Sequence, residues 1–344
     1  MLSYEQPQKY IVETENYSET FSTPVLTAGK SFILGYTNET TGVYNGKESP
    51  VIIFDDFTGD KKYVDFDFKV KSSAMKLLHK VNTSDNLKYL FYALQSIKYT
   101  PFSHKRIWIS EYSNFLIEYR HPQEQNAIVL ALDGINQAIY NKKQELFSLD
   151  ELVKSRFIEM FGDCKKITLQ KFCKFQQGTQ VPIELQSEQQ KDGYLRFLRI
   201  IDYTQAPQIP RYVNVKGKIV DEQSVVVVRY GASAGFVGKG YSGILANNLF
   251  EIIPDESIMS KYFLYCALKY GNFESEISKK CAGVAMPALS FGIMKDMEIY
   301  NPLIELQNEF ARFVKLIDKS KFIVQQQIKD LQELLDSKMD EYFR

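Results

Sequence analysis

One stretch near the C-terminus repeats an earlier one, and this repeat constrains the chain more than any other feature. Residues 149–161 read LDELVKSRFIEMF and residues 331–343 read LQELLDSKMDEYF. The shared skeleton is L-x-E-L-x-x-S-[RK]-x-x-E-x-F, at an offset of 182 residues. The same offset pairs Gln125-Asn126 with Gln307-Asn308 and Ile135 with Ile317, so the alignment holds without a gap from 125 to 161. A common period alone fits two unrelated amphipathic helices equally well. A gapless match of specific residues argues for duplication.

Both copies have heptad spacing. In the first, Ile128, Leu132, Ile135, Ile139, Lys142, Leu146, Leu149, Val153, Arg156 and Met160 alternate steps of four and three. The second places Phe310, Val314, Ile317, Lys321, Val324, Ile328, Leu331, Leu335, Lys338 and Tyr342 at the same points. Eight of the ten seam positions are apolar in each copy, which predicts two long coiled-coil helices rather than ordinary surface helices. At 1.5 Å per residue each would be roughly 55–65 Å long, enough to run between domains. The polar seam positions Lys142, Arg156, Lys321 and Lys338 either set register and orientation or lie near solvated ends.

The remainder divides around these helices. Residues 1–121 form a first unit, 122–162 the first helix, 163–301 a second unit and 302–344 the second helix. In the first unit, apolar stretches at 23–26, 31–36, 51–54 and 63–68 are bounded by Gly, Asn, Asp and Pro and read as strands. Residues 86–97 have helical spacing. In the second unit, 219–230 and 245–253 read as strands. Residues 257–269 repeat the helix, with Leu264, Ala267 and Leu268 matching Leu90, Ala93 and Leu94. Pro122 and Pro302 open the long helices, since proline is tolerated in a first turn, and Gly162 stands where a C-cap belongs. The fold class is therefore α/β (α+β): two globular domains separated by two long antiparallel helices about a pseudo-twofold axis.

Several function classes are excluded. The apolar runs are a few residues long, such as VVVV at 225–228, too short for a membrane span, and the N-terminus lacks a signal-peptide pattern. The four cysteines show no C-x-x-C spacing and there are three histidines, so neither a zinc site nor a disulfide framework is indicated. A cytoplasmic protein with free thiols follows. Ala28-Gly29-Lys30-Ser31 ends like a phosphate-binding loop, but Pro24 occupies the position of the glycine that loop requires. Asp55 and Asp56 follow a strand; adjacent carboxylates there point to opposite faces, so turn or cap duty is the better reading. Neither an amino-methyltransferase motif nor a hydrolase elbow appears. No catalytic residue and no metal ligand is assigned.

Net charge is zero, with 42 basic and 42 acidic residues, yet the charge is unevenly placed. Residues 61–106 carry ten Lys/Arg against three Asp/Glu, and 164–240 carry twelve against six. Glycine-rich, basic and aromatic segments recur in both units: TAGKS (27–31), KVKSSAMK (69–76) and HKRIW (104–108), then QQGTQ (176–180), YLRFLRIID (194–202) and RYGASAG (229–235). Glycine lets backbone approach a phosphate, Lys and Arg neutralise phosphates, and Arg, Gln and Asn can read base edges. The DNA-contacting candidates are Thr27, Gly29, Lys30, Ser31, Lys69, Lys71, Ser72, Ser73, Lys105 and Arg106 in the first unit. In the second they are Gln177, Gly178, Thr179, Gln180, Arg196, Arg199, Arg229, Tyr230 and Ser233.

These features together resemble the specificity subunit of a type I restriction–modification system, over essentially the whole length. YEQPQKYIV (4–12), TPVLTAGKSFILGYT (23–37), VIIFDDFT (51–58) and VDFDFKVKSSAMK (64–76) look like one recurrent variety of the family's target-recognition domain. QQGTQ, VVVVRYGASAG and LANNLFEIIP resemble a different variety, and the helices after Pro122 and Pro302 resemble the spacers. The chain begins close to the first motif, without the leader many members carry, which points to a trimmed or unusual start.

The resemblance implies that each recognition domain reads one half of a split double-stranded DNA target, while the spacers fix the gap and bind two methyltransferase subunits. S-adenosylmethionine would belong to those subunits, and ATP and Mg to a restriction subunit where one is present. This chain would bind no cofactor, supply no catalysis and be found with the nucleoid. Two unlike recognition domains imply an asymmetric target. One rival is a coiled-coil scaffold whose α/β units bind protein or another ligand, which zero net charge favours. A second is a single-strand or RNA binder using its many aromatic residues.

Overall fold

The computed structural model describes residues 1–27, 31–99, 105–205, 208–280 and 288–343, with the backbone alone at 274, 278 and 280. The fold is mixed α/β, in two compact units: Met1–Lys143 with Gln326–Arg344, and Gln144–Gln325. Two helices of 40 residues, Pro122–Phe161 and Ile304–Phe343, each contribute one part to each unit.

The first unit is built on Val51–Asp55, buried along its whole length. It sits inside an antiparallel sheet ordered Leu2–Glu5, Met75–Lys80, Val51–Asp55, Lys61–Val64. Successive side chains leave opposite faces of a strand. Ile52, Phe54 and Leu78 therefore meet the helix Leu87–Ser96, while Val51, Ile53, Met75 and Leu77 meet Leu26, Phe68 and Val70. Those last residues belong to or adjoin a smaller sheet of Ile33–Thr37, Thr23–Leu26 and Lys69–Val70. The single strand expected over 63–68 is not formed. Lys61–Val64 joins one sheet and Lys69–Val70 the other, because Phe68 between them exchanges backbone bonds with Tyr44, at 2.8 and 3.1 Å, instead of extending the first ladder.

The second unit repeats the plan with different strands. Val225–Val228 is wholly buried; Val225 and Val227 face one core, Val226 and Val228 another. Its sheet runs Val237–Gly238, Val225–Val228, Leu249–Pro254, Cys173–Gln177. A second sheet runs Arg211–Val213, Leu195–Leu198, Gly243–Leu245, Ile219–Val220. Both long β-branched runs are thus divided between two sheets. The run 219–230 breaks where Asp221 accepts from the Gln223 N–H at 2.8 Å, and 245–253 breaks at a turn closed by Leu249 N–H on the Ala246 carbonyl, 3.0 Å. The helix expected over 257–269 begins later, as Lys261–Tyr270, because Asp255 ties Ser257 into a preceding turn and Ser260 caps Phe263 at 3.2 Å.

Within the second unit the long helices pair antiparallel: Asp150 meets Lys321 at 2.5 Å, and further along Phe161 stacks edge-on with Phe310 at 5.4 Å. The seam positions are buried or half-buried throughout. Toward residue 161, however, the buried stripe continues from Val153 through Phe157 and Phe161, both fully buried, rather than through Arg156 and Met160. An α-helix turns every 3.6 residues, so a 3.5-residue stripe drifts, and here the globular core captures the two phenylalanines. Pro122 is the first helical residue, whereas Pro302 lies before a helix that starts at Ile304. The Pro302 carbonyl instead accepts from the Gln307 side chain at 3.0 Å. Gly162 ends the first helix with its N–H on the Ile158 carbonyl, 2.7 Å, without entering the left-handed region.

Candidate nucleic-acid interface

Two of the segments singled out in the first unit converge on one buried residue, Asp56. Its N–H donates to the Ala74 carbonyl, 3.3 Å, and its own carbonyl accepts from Ile107 N–H, 2.9 Å. Its carboxylate accepts from Trp108 N–H at 2.9 Å and pairs with Lys76 at 3.3 Å. The segments 69–76 and 105–108 are thereby fixed side by side. Lys71 N–H bonds the Leu26 carbonyl at 2.9 Å, next to Thr27, whose Oγ1 donates to the Ser31 carbonyl at 2.6 Å. Gly29 and Lys30 lie outside the described residues. Asp55 has the turn duty expected of it, accepting from the N–H groups of Phe57 and Thr58 at 2.8 and 3.2 Å.

Not every candidate cation is available to a phosphate. Lys69 is 1% exposed, with Glu39 at 2.6 Å and the Thr41 carbonyl at 2.8 Å. The ammonium beside Glu39 holds that carboxyl down at about 2, so Lys69 is a core ion pair, not a DNA contact. Lys71 is less buried and is paired with Glu15, which raises its pKa. Lys105 and Arg106 are exposed, as are Ser31 and Ser72; Ser73 is half-buried. No carboxylate lies within ion-pair distance of Lys105 or Arg106 among the described residues. Of the cations singled out in this unit, they are the two left exposed and without an ion pair among the described residues.

In the second unit the surface forms where Cys173–Gln177, the turn at 246–248 and Arg229 meet. Gln177 Nε2 donates to the Asn247 carbonyl at 2.8 Å, and Arg229 N–H to the Asn248 carbonyl at 2.9 Å. The Arg229 guanidinium lies 4.6 Å from the Tyr230 ring centre and 5.2 Å from that of Phe250. Its Nε and the Asn248 Oδ1 are buried atoms without a hydrogen-bond partner among the described residues. Such atoms are uncommon in a folded protein and mark a place where a ligand can supply the missing partner. Gln176, Gln177 and Gln180 are exposed around it, and Ser233 lies in the neighbouring turn. Asn247 and Asn248 are not among the candidates drawn from the sequence; the polar pair interrupting LANNLF is the signal that points to them.

Four other candidates serve the fold. A Cβ on Gly178 would stand 2.0 Å from the Ala246 carbonyl oxygen, so its glycine is required by the neighbouring strand, not by a phosphate. Thr179 Oγ1 accepts from Lys218 N–H at 2.9 Å. Arg196 and Arg199 both pair with the buried Asp202, at 3.4 and 2.9 Å, and Arg199 also bonds the Ile209 carbonyl at 2.8 Å. One carboxylate thus ties both guanidinium groups into the fold of the domain.

Comparison with known proteins decides the family. The sequence model described as Type I restriction modification DNA specificity domain matches residues 162–333. The Type I restriction enzyme EcoR124I/EcoR124II specificity subunit of Escherichia coli is 33% identical, over 92% of this chain and 83% of its own length. The chain belongs to the type I restriction–modification specificity-subunit family. The MjaVIII specificity subunit of Methanocaldococcus jannaschii is 23% identical over 55% of this chain and 45% of its own. The solved S subunit from M. genitalium has the same fold, with a TM-score of 0.55 at 17% identity, covering 100% of this chain and 96% of that one. Specificity subunits are the non-catalytic components of type I restriction enzymes, and their role is DNA-target specificity. Among the described residues no helix is long and apolar enough to cross a membrane.

Proposed function

We propose that this specificity subunit reads an asymmetric, two-part duplex DNA target and holds two methyltransferase subunits. Residues 1–121 and 163–301 are the two recognition domains, and 122–162 and 302–344 the spacers. Residues around Lys105 and Arg106 read or grip one half-site, and those around Gln177, Arg229 and Tyr230 the other. The methyltransferase subunits carry S-adenosylmethionine, and a restriction subunit, where present, adds ATP and Mg. The complex works on nucleoid DNA in the cytoplasm.

The observation that carries the partner reading is that the repeat exposes apolar side chains at matching points. Leu152 and Leu334 are 47% and 44% exposed. Each compact unit holds one leucine of this pair. Apolar groups repeated in the motif yet left in water support two equivalent docking surfaces. The asymmetry of the target is supported by the different strand plans and surface residues of the two units. The scaffold reading draws on zero net charge and on the sequestered Lys69, Arg196 and Arg199. Co-expression with the cognate methyltransferase and sequencing of methylated adenines separates the two. A split motif with unlike halves, lost on deletion of this gene, is expected. A stable complex that leaves no motif would favour the scaffold.

A further inference from the structure

The pseudo-repeat is broken where the second unit forms a cavity of about 740 Å³. In the first unit, the helix Leu87–Ser96 is bolted to the long helix by polar groups. Lys88 pairs with Asp133 at 2.7 Å, and Tyr92 donates to the other Asp133 oxygen at 2.6 Å. The repeat places Tyr262 where Lys88 stands and Lys315 where Asp133 stands. The ion pair cannot form there. Tyr262 instead donates to Asp318 at 3.2 Å, and the Lys315 ammonium lies 5.7 Å from the Tyr262 ring centre. Lys239 lies over the same ring at 4.7 Å.

With Lys319 beside them, three ammonium groups rim the cavity together with the Asp318 carboxylate, which is taken up by Tyr262; among the described residues none of the three ammonium groups lies within ion-pair distance of a carboxylate. Its apolar wall is Phe322 and Ile323, 69% and 56% exposed. The volume is that of an ordinary ligand pocket. Unmatched cations around exposed apolar groups complement an occupant with carboxylates around an apolar anchor. Duplex DNA fits less well, since its backbone offers nothing apolar to cover Phe322 and Ile323.

We infer that this cavity is a docking site for a protein segment with acidic side chains around an apolar anchor, and that the matching place in the first unit, held by the Lys88–Asp133 pair, does not share that chemistry. A complex whose two spacer surfaces are otherwise alike thereby acquires one unique attachment point. The inference does not rest on DNA reading, and its test contains no DNA in the binding arm.

The test titrates the full chain against a fluorescein-labelled peptide, EEDLFDEE, followed by anisotropy. Two control peptides replace the acids by lysine or the apolar pair by serine. Binding of the first peptide alone is expected, weakened about tenfold or more by Lys315→Glu with Lys319→Glu. Phe322→Ser should also remove it; all three positions are exposed, and circular dichroism checks that the variants remain folded. No binding, equal binding of all three peptides, or indifference to the charge reversal overturns the proposal. A parallel duplex titration supplies the remaining outcome. If charge reversal weakens DNA binding as much as peptide binding, the lysines belong to a DNA surface and the docking site falls.

Discussion

Asp56 and Lys76 form an ion pair sealed from solvent, 3.3 Å apart with side chains 2% and 1% exposed. A buried pair is not strongly stabilising in itself, because desolvation offsets the attraction, but removing one member strands the other charge. Here the Asp56 carboxylate also accepts from the Trp108 N–H, while the Asp56 backbone bonds residues 74 and 107, so the pair sits where two segments of the first candidate surface are aligned. Trp108, the single tryptophan, is 4% exposed at the same place and reports on it by fluorescence.

Lys76→Met should therefore cost the first unit about 3–5 kcal/mol. Urea unfolding followed by Trp108 emission checks this. A wild-type midpoint would mean that the pair is dispensable and that the two segments are held by their backbone bonds alone.

Glu39 links this unit to pH. Lys69 beside it, with the Thr14 and Glu13 N–H groups, lowers its pKa from 4.5 to about 2. The folded value lies below the unfolded one, so the stabilisation is complete above the unfolded value and is lost as pH falls from 4.5 toward 2. Glu39→Gln should be less stable than wild type at neutral pH, with the gap closing across that acidic window. A gap independent of pH would show that the carboxylate charge is not what Lys69 needs.

Gln125 and Gln307 perform one task in the two units. Gln125 Oε1 accepts from the N–H of the helix cap Asn86 at 2.7 Å, and Gln307 Oε1 from the cap Ser260 at 3.1 Å. Each Nε2 donates to the carbonyl five residues earlier, Arg120 at 2.9 Å and Pro302 at 3.0 Å. Replacing either by leucine leaves buried backbone groups unpaired, a loss of about 1–3 kcal/mol. Amide exchange should accelerate at Asn86 in Gln125→Leu and at Ser260 in Gln307→Leu. The same amide responding to both variants would contradict the local assignment.

Arg229→Ala should weaken duplex binding by about 1–3 kcal/mol without lowering the melting temperature. Removing Lys105 and Arg106 together should reduce the salt dependence by about two phosphate contacts. Titrations at several salt concentrations measure both. A variant that binds as wild type withdraws that residue from the interface.

The sequence by itself determined the duplicated helices, their near-equal length, the two units and the family. A 3.5-residue apolar stripe and a thirteen-residue repeat are local patterns, and local patterns survive in one dimension. The ion pair inside the repeat motif shows how far this goes: Arg156 with Glu159 at 2.9 Å matches Lys338 with Glu341 at 2.6 Å, both within one helical turn. Only the tertiary structure decided where the β-branched runs break, since alternate valines in Val225–Val228 answer to two different cores. It also decided which cations are available. Lys69 and Lys105 are the same residue type in the same basic stretch, yet one meets Glu39 and the other meets solvent. A charge is available or neutralised according to what folding brings within a few ångströms of it, and that partner is set by strand pairing, not by the residues beside it in the chain.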